Sequence, residues 1–154
     1  MVRATVGPRG ERSMLVRTMV EGVVRQLQPK DYLGEILAIR NFAATYIRYA
    51  NDGLSTEVVK DPQRLSEEIV ARGKASGDCD DIATWIAAAA RGIGREARFV
   101  TVGFNAARPN HFSHVFACVK EPKSKTWVCC DPVAGSNEEN MLARVKTHRF
   151  WEID

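Results

Sequence analysis

Apolar residues recur every three or four positions in the first half of the chain, which is the spacing of one helix face. A first helix is expected near residues 12–30, anchored by Met14, Leu15, Met19, Val20 and Val23. A second is expected from about Asp31 to Ala50, ended by residues 51–53, and its buried side comprises Leu33, Ile36, Leu37, Ile39, Phe42, Ala43, Tyr46 and Ile47. Asp61-Pro62 opens a short third helix through about Ala71, since proline is tolerated in a first turn.

A fourth helix is predicted to begin directly after Asp78. Its apolar positions are Ile82, Trp85, Ile86, Ala89, Ala90 and Ile93, and Gly92 and Gly94 supply the stop. Cys79 then lies in the first turn, where free N–H groups and the helix dipole stabilise a thiolate. The neighbouring Asp78, Asp80 and Asp81 act in the opposite direction, because like charge raises the pKa of a thiol. Helix position alone is therefore not expected to ionise Cys79.

Alternation with a period of two residues predicts strands in the second half, at residues 97–104, 112–120 and 125–131. The last two are joined by the turn-like residues Glu121-Pro122-Lys123-Ser124. A loop of those four residues makes Lys120 face Lys125, and the further pairs are Cys118 with Trp127, Phe116 with Cys129 and His114 with Asp131. This register depends on the loop length.

The remaining segments are expected to be short or irregular. Residues 57–60 are predicted to be extended, 105–110 to form a polar loop at the rim of a cleft, and 135–139 to form a surface loop. Residues 141–145 are predicted to form a helical turn. Residues 150–153 are predicted to be a final strand or tail that docks on the core, rather than a surface for a partner.

Cys79, His114 and Asp131 occur in the order of a nucleophile, its base and the carboxylate that orients the base. Each residue also has a simpler explanation. A lone cysteine is more often a small buried hydrophobe, a histidine in a strand is usually a core residue, and Asp-Pro commonly starts a turn. The helix position and the hairpin register favour the catalytic interpretation, which predicts acyl-transfer chemistry.

The segments around this trio resemble the transglutaminase-like superfamily, in particular its small bacterial and phage-encoded members. They are residues 77–83, 92–100, 113–116 and 127–132, with 46–49 and 61–65 upstream, so that residues 30–135 are covered. The resemblance implies that Cys79 is the nucleophile, His114 the general base and acid, and Asp131 the residue that orients the imidazole. It also implies a papain-like fold. Because the family contains crosslinkers, peptidases, deglycosylating enzymes and inactive relatives, it indicates a class of chemistry rather than one reaction.

Composition agrees with a small enzyme. At 154 residues and 45% hydrophobic, the chain suits one domain, with a helical part over about residues 10–94 and a sheet part over about 96–154. The apolar run at 82–90 is too short to span a bilayer and the first residues lack a secretory apolar region, so a cytoplasmic protein without membrane contact is expected. The net charge of +3 does not demand nucleic acid. The basic residues Arg12, Arg17, Arg25 and Lys30 are interpreted as a solvated helix face.

The other three cysteines, Cys118, Cys129 and Cys130, are expected to be reduced core residues. Cys129 and Cys130 point to opposite faces of a strand, and nothing in the sequence indicates an oxidising compartment. No metal is predicted, because the chain has no Cys-x-x-Cys pair and His111, His114 and His148 lack ligand spacing.

The sequence therefore predicts an α+β protein in which an N-terminal helical lobe packs on a small antiparallel sheet. It is expected to act without a cofactor on a protein or peptide substrate. Hydrolysis is favoured because the expected walls of the acceptor site, residues 51–55, 105–110 and 133–137, are small and polar, which suits a wet groove. The alternatives are a protein-glutamine crosslinker and an inactive module that assembles with phage structural proteins.

Overall fold

The computed structural model describes residues 1–51, 58–134 and 138–154. The helices in these ranges are α1 (Val2–Val6), α2 (Met14–Val24), α3 (Tyr32–Tyr46), α4 (Pro62–Arg72), α5 (Cys79–Gly92) and α6 (Glu138–Arg144). The strands are β1 (Ile47–Tyr49), β2 (Ala75–Gly77), β3 (Ala97–Gly103), β4 (His114–Lys120), β5 (Trp127–Cys130) and β6 (Thr147–Glu152). None of the helices in these ranges is long and apolar enough to cross a membrane.

Helices α5 and α3 pack on one face of an antiparallel sheet with strand order β5-β4-β3-β6, and Met141 of α6 packs against the other face. The central helix is α5, which lies against β4 and β3 and contacts α2, α3 and α4 on its other sides. Every residue from Asp81 to Ala90 is buried, and Trp85 and Phe99 are fully enclosed. The predicted α+β architecture, with a helical lobe on a small antiparallel sheet, is confirmed.

Polar residues that accept a hydrogen bond from the first turn set the starts of four helices. Ser13, Asp31, Asp61 and Asp78 cap α2, α3, α4 and α5 in this way. The helices that follow Asp61 and Asp78 begin where the sequence predicts. On α2 the buried residues are Val16 and Val20, whereas the predicted anchor Met14 is 74% exposed.

The second predicted helix is too long at its C-terminal end. Helix α3 ends at Tyr46, and Ile47–Tyr49 forms a parallel pair with Ala75–Gly77. Of the residues assigned to its buried side, Leu33 and Tyr46 are 48% and 39% exposed. The parallel pair places Tyr49 beside Gly77, two residues before Cys79. The expected helix end at 52–53 and most of the expected 135–139 loop lie outside the described residues, although α6 already begins at residue 138.

The predicted register of the β4–β5 hairpin is wrong by two residues. Lys120 pairs with Trp127 and Cys118 with Cys129, so neither Phe116 with Cys129 nor His114 with Asp131 is a direct pair. The N–H of Glu121 donates to the carbonyl of Thr126, which moves the turn one residue later, to 122–125. The Glu121 carboxylate accepts from the N–H groups of Lys123 and Ser124 and holds this turn. A shift of two residues leaves every side chain on its predicted face.

The expectation of reduced cysteines is wrong for Cys118 and Cys129, which form a disulfide bond. The observed register explains this, because it makes the two residues direct cross-strand partners. Cys130 points to the other face and is buried as a thiol, and Cys79 is a partly exposed thiol. The disulfide therefore joins the two strands of the hairpin, β4 and β5.

The last residues are expected to form either a strand or a tail, and they form strand β6. Strand β6 pairs with β3 along its length and covers the open edge of the sheet. Ile153 is buried in the core, whereas Phe150 and Trp151 remain 47% and 41% exposed. The C-terminal segment is thus docked by its backbone and by Ile153.

Candidate active site

Cys79 is the first residue of α5, and its position is fixed by the cap of that helix. Asp78 accepts a hydrogen bond from the N–H of Asp81, and Asp81 accepts one from the N–H of Asp78, which is a capping box. The sulfur lies 3.8 Å from Oδ1 of Asp80. Among the described residues, the N–H of Cys79 has no acceptor, as is usual in a first turn. A thiol and an unused backbone donor therefore lie together at the start of a buried helix.

The three acidic residues beside Cys79 differ in environment. Asp81 is fully buried, and its two oxygens accept from the N–H of Lys60, at 2.6 Å, and of Asp78, at 3.2 Å. It therefore attaches the segment before α4 to the start of α5. Asp78 and Asp80 are partly exposed and line the cleft that contains the sulfur. The sequence does not distinguish these three carboxylates, whereas in the structure Asp81 is a buried hydrogen-bond acceptor and the other two line the cleft.

His114 and Asp131 are brought together although they are not direct cross-strand partners. Nε2 of His114 lies 2.6 Å from Oδ2 of Asp131. The other oxygen of Asp131 accepts from the N–H groups of Val133 and Ala134, at 3.2 Å and 3.4 Å. Asp131 is 1% exposed, and its carboxylate is held in place by these three hydrogen bonds, to His114, Val133 and Ala134. In the observed register His114 and Asp131 are diagonal neighbours on one face, which is still within reach of these side chains.

The charge state of His114 is set by both of its partners. Burial would lower the pKa of the imidazole, but hydrogen bonds to Asp131 and Cys79, with the negative charges of both, raise it to about 9. The ring is therefore positively charged near neutral pH. The structure thus joins His114 to Asp131 by a hydrogen bond and places His114 in the same cleft as Cys79.

Tyr49 is a neighbour of this site to which the sequence analysis gave no role. Strand pairing places it opposite Gly77, two residues before Cys79, and burial together with the charges of Cys79 and Asp78 raises the pKa of its phenol. Its hydroxyl donates to Oδ1 of Asn51 at 3.0 Å. The sequence marks Tyr49 only as part of the segment 46–49, which carries the family resemblance. The pairing of that segment with β2 cannot be predicted from the sequence.

A cleft of about 280 Å³ opens over Cys79 and His114. Its other walls are Val58 and Val59, the two cleft aspartates, Thr101, Phe112, Ser113 and Val115. Within the described part of the chain, no residue of the 105–110 loop lines it, so that predicted wall is not part of the cleft. The stretch expected as another wall, 51–55, lies largely outside the described residues. The lining is mixed, with carboxylates and hydroxyls on one side and apolar side chains on the other.

Two solved structures have similar folds, and one is described as a putative cysteine protease and the other as a putative protease. A "Putative Cysteine Protease from Cytophaga hutchinsonii" is 17% identical with a TM-score of 0.61, and the match covers 99% of this chain and 45% of that one. A "Putative Protease from Parabacteroides distasonis" is 13% identical with a TM-score of 0.57, covering 86% of this chain and 26% of that one. The chain thus spans less than half the length of either protein. At these identities the likeness shows the fold.

No curated protein sequence matches the chain. The sequence model of one family matches residues 17–132, which is well over half of the 154 residues and includes Cys79, His114 and Asp131. The predicted resemblance is confirmed by that match and by the fold: the chain belongs to the transglutaminase-like superfamily.

Proposed function

We propose that this protein is a cysteine hydrolase of peptide or related amide bonds, with Cys79 as nucleophile, His114 as general acid and base, and Asp131 as the residue that orients the imidazole. The observation that carries the proposal is the position of His114, which is hydrogen bonded to Asp131 through Nε2 and lines the same cleft as Cys79. Family membership and the fold support a thiol enzyme in general terms. The reaction and its residues are the proposal.

The first half of the reaction is acylation of the sulfur. An imidazolium beside a cysteine favours the thiolate, which is the nucleophilic form. The thiolate attacks the carbonyl carbon, and the developing oxyanion is stabilised by the unused N–H of Cys79. His114 then gives its proton to the leaving nitrogen as the C–N bond breaks. An amine departs and a thioester remains on Cys79.

The second half returns the enzyme to its starting state. His114, now neutral, accepts a proton from a water molecule that attacks the thioester carbon. The C–S bond breaks, the carboxylic acid product leaves and gives its proton to solvent, and the thiolate and imidazolium are restored. Asp131 stays ionised throughout and stabilises the imidazolium at each stage.

Water is favoured over an amine as the acceptor because of the walls of the cleft. An enzyme that transfers to an amine must exclude water from the thioester, which calls for a shielded apolar passage. Here Asp78, Asp80 and Ser113 line the cleft, and Cys79 is itself partly exposed. Water can therefore reach the acyl-enzyme. Crosslinking is the second candidate reaction, and it is favoured by the family alone.

The test uses peptides that contain glutamine, with an excess of a fluorescent primary amine, and follows products by mass spectrometry. We expect hydrolysis to exceed amine incorporation, and the Cys79→Ala variant to lose both while unfolding at the same temperature as the wild type. Cys130→Ala is the matched control, since it removes a thiol that lies in the core and should keep activity. If amine incorporation exceeds hydrolysis, the proposed hydrolase activity is wrong and the reaction is crosslinking.

A separate test addresses the inactive assembly module. Alkylation by iodoacetamide is followed over a pH series by intact mass and peptide mapping. Selective modification of Cys79 at a pH well below the pKa of an ordinary cysteine thiol supports the proposal of an enzyme. An inert Cys79, together with no product from a wide peptide panel, would favour a module without catalytic activity.

A further inference from the structure

A second cleft, of about 360 Å³, lies on the other side of the start of α5. Its floor is formed by apolar side chains, among them Ile47 and Ile82, and its rim carries Arg48 and Lys74. Of the described residues that line it, none is acidic. We call it the basic cleft. Its combination of an apolar floor and a cationic rim is the composition of a site that takes a ligand with one anionic group.

The two cations of the basic cleft are available for a ligand. Within the described part of the chain, neither Arg48 nor Lys74 forms an ion pair or a side-chain hydrogen bond. Most of the other arginines and lysines near the helical lobe are engaged, as Arg91 is with Glu11 and Arg95 with Glu35. Arg48 is on β1 and Lys74 directly precedes β2, so the parallel pairing of these strands brings the two cations together.

Three residues that line the basic cleft lie near Cys79 or Asp131 in the sequence or across the β1–β2 pair. Ile82 is one helical turn from Cys79, which is roughly 5 Å along the axis. Pro132, which follows Asp131 directly, also lines it, as does Tyr49, which pairs with Gly77 two residues before Cys79. A peptide substrate with its reacting carbonyl at the sulfur can therefore be tested for a neighbouring group that binds Arg48 and Lys74.

We propose that the basic cleft is a substrate subsite for a carboxylate that lies one or two residues from the reacting amide. The proposal rests on the proposed function, because it assumes that the reacting carbonyl lies at Cys79. The cleft over the sulfur is lined by Asp78 and Asp80, which repel a carboxylate, whereas the basic cleft attracts it. This difference in charge sets the orientation in which an acidic peptide binds over Cys79.

The experiment measures selectivity without requiring turnover. Three reagents are compared for the rate at which they alkylate Cys79: iodoacetyl-Gly-Glu amide, iodoacetyl-Gly-Gln amide and iodoacetyl-Gly-Gln with a free C-terminal carboxylate. In each case the sulfur displaces iodide and forms a thioether, which intact mass reports. We expect at least one anionic reagent to react about three to ten times faster than the neutral one at low salt, and the preference to shrink at 0.5 M NaCl. Comparison of the two anionic reagents separates a side-chain carboxylate from a terminal one.

The variants place the preference in the basic cleft. Arg48→Gln combined with Lys74→Gln should bring the ratio of the anionic to the neutral rate to about one, each rate being divided by the rate of the same variant with iodoacetamide. Arg25→Gln combined with Lys146→Gln is the matched control, since it removes the same charge from exposed residues that line neither cleft. That control should keep the wild-type preference.

The outcomes separate this inference from the proposed function. A wild-type ratio near one, or a preference that survives in the Arg48→Gln/Lys74→Gln variant, overturns the subsite while leaving the thiol chemistry intact. If Cys79 reacts with none of the reagents, iodoacetamide included, the proposed function fails and the subsite fails with it. A preference that is lost only in the double variant of the basic cleft supports the inference.

Discussion

Cys118 and Cys129 are direct partners across β4 and β5 and are joined by a disulfide bond. The same two strands carry His114 at the start of β4 and Asp131 just after β5, on the same sheet face as the disulfide. The bond therefore fixes the strand pairing on which the contact between the imidazole and the carboxylate depends.

We expect reduction of this disulfide to destabilise the fold by about 2–3 kcal/mol. The bond closes a loop between two cysteines that are 11 residues apart in the sequence, and reduction opens that loop in the unfolded chain. The free energy of unfolding is measured in urea with and without dithiothreitol. The Cys118→Ser/Cys129→Ser variant is the control, since it should match the reduced wild type and should not respond to the reductant. An unfolding curve that is unchanged by reduction would contradict the pairing.

The pH dependence of stability follows from the raised pKa of His114. The pKa is about 9 in the folded chain against 6.5 for an unperturbed imidazole. The folded state therefore holds the proton more tightly, and the resulting stabilisation is complete below pH 6.5 and is lost as the pH rises through 9. Its size is on the order of 3 kcal/mol.

The measurement compares urea unfolding of the wild type and His114→Gln between pH 6 and pH 10. We expect the advantage of the wild type to shrink with rising pH over that interval. His111→Gln, which changes an exposed histidine, should parallel the wild type throughout. A constant difference between the wild type and His114→Gln would mean that His114 is not held as an imidazolium.

Asp131→Asn should lower the rate of amide hydrolysis by a factor on the order of a hundred or more, because the imidazolium loses its counter-charge and its fixed orientation. It should also lower the pKa of His114, since Asp131 supplies both a hydrogen bond and a charge that raise it. The imidazole is titrated by NMR in the wild type and the variant. A slower enzyme with an unchanged His114 pKa would assign Asp131 a purely structural role.

Much of this site could be predicted because its signals are local. Asp78 and Asp81 mark the start of α5, and the alternation of apolar residues fixes which face of β4 carries His114. These features depend on neighbours within four residues, so periodicity and capping residues suffice to find them.

The features that could not be predicted depend on contacts between distant segments. The turn after β4 is set by the Glu121 carboxylate and by Lys125 in a left-handed conformation at φ 62°, which no turn motif in the sequence announces. The error in register hid the partnership of Cys118 and Cys129. Likewise, β1 has three residues and exists because β2 pairs with it, so the residues at 47–49 were assigned to a helix. The position of Tyr49 beside Cys79 was lost with that strand.

Asp81→Asn provides a test of the framework around the nucleophile that is independent of the chemistry. In the folded chain each oxygen of Asp81 accepts one backbone N–H, from Lys60 and from Asp78, and the side chain is fully buried. A carboxamide has a single acceptor oxygen, so its NH₂ group must face one of these N–H donors. We expect a loss of about 1–3 kcal/mol in the free energy of unfolding, which is the cost of a buried donor left unsatisfied.

Asp31→Asn is the matched control, because Asp31 is an exposed helix cap and, among the described residues, only Oδ1 of its carboxylate accepts a hydrogen bond, from the N–H of Gly34. Asparagine caps a helix about as well as aspartate, so this change should cost no more than a few tenths of a kcal/mol. We also expect Asp81→Asn to slow alkylation of Cys79, since the bond to Asp78 fixes the first turn of α5. Equal unfolding free energies for the two variants would show that the Asp81 carboxylate does not hold the start of this helix.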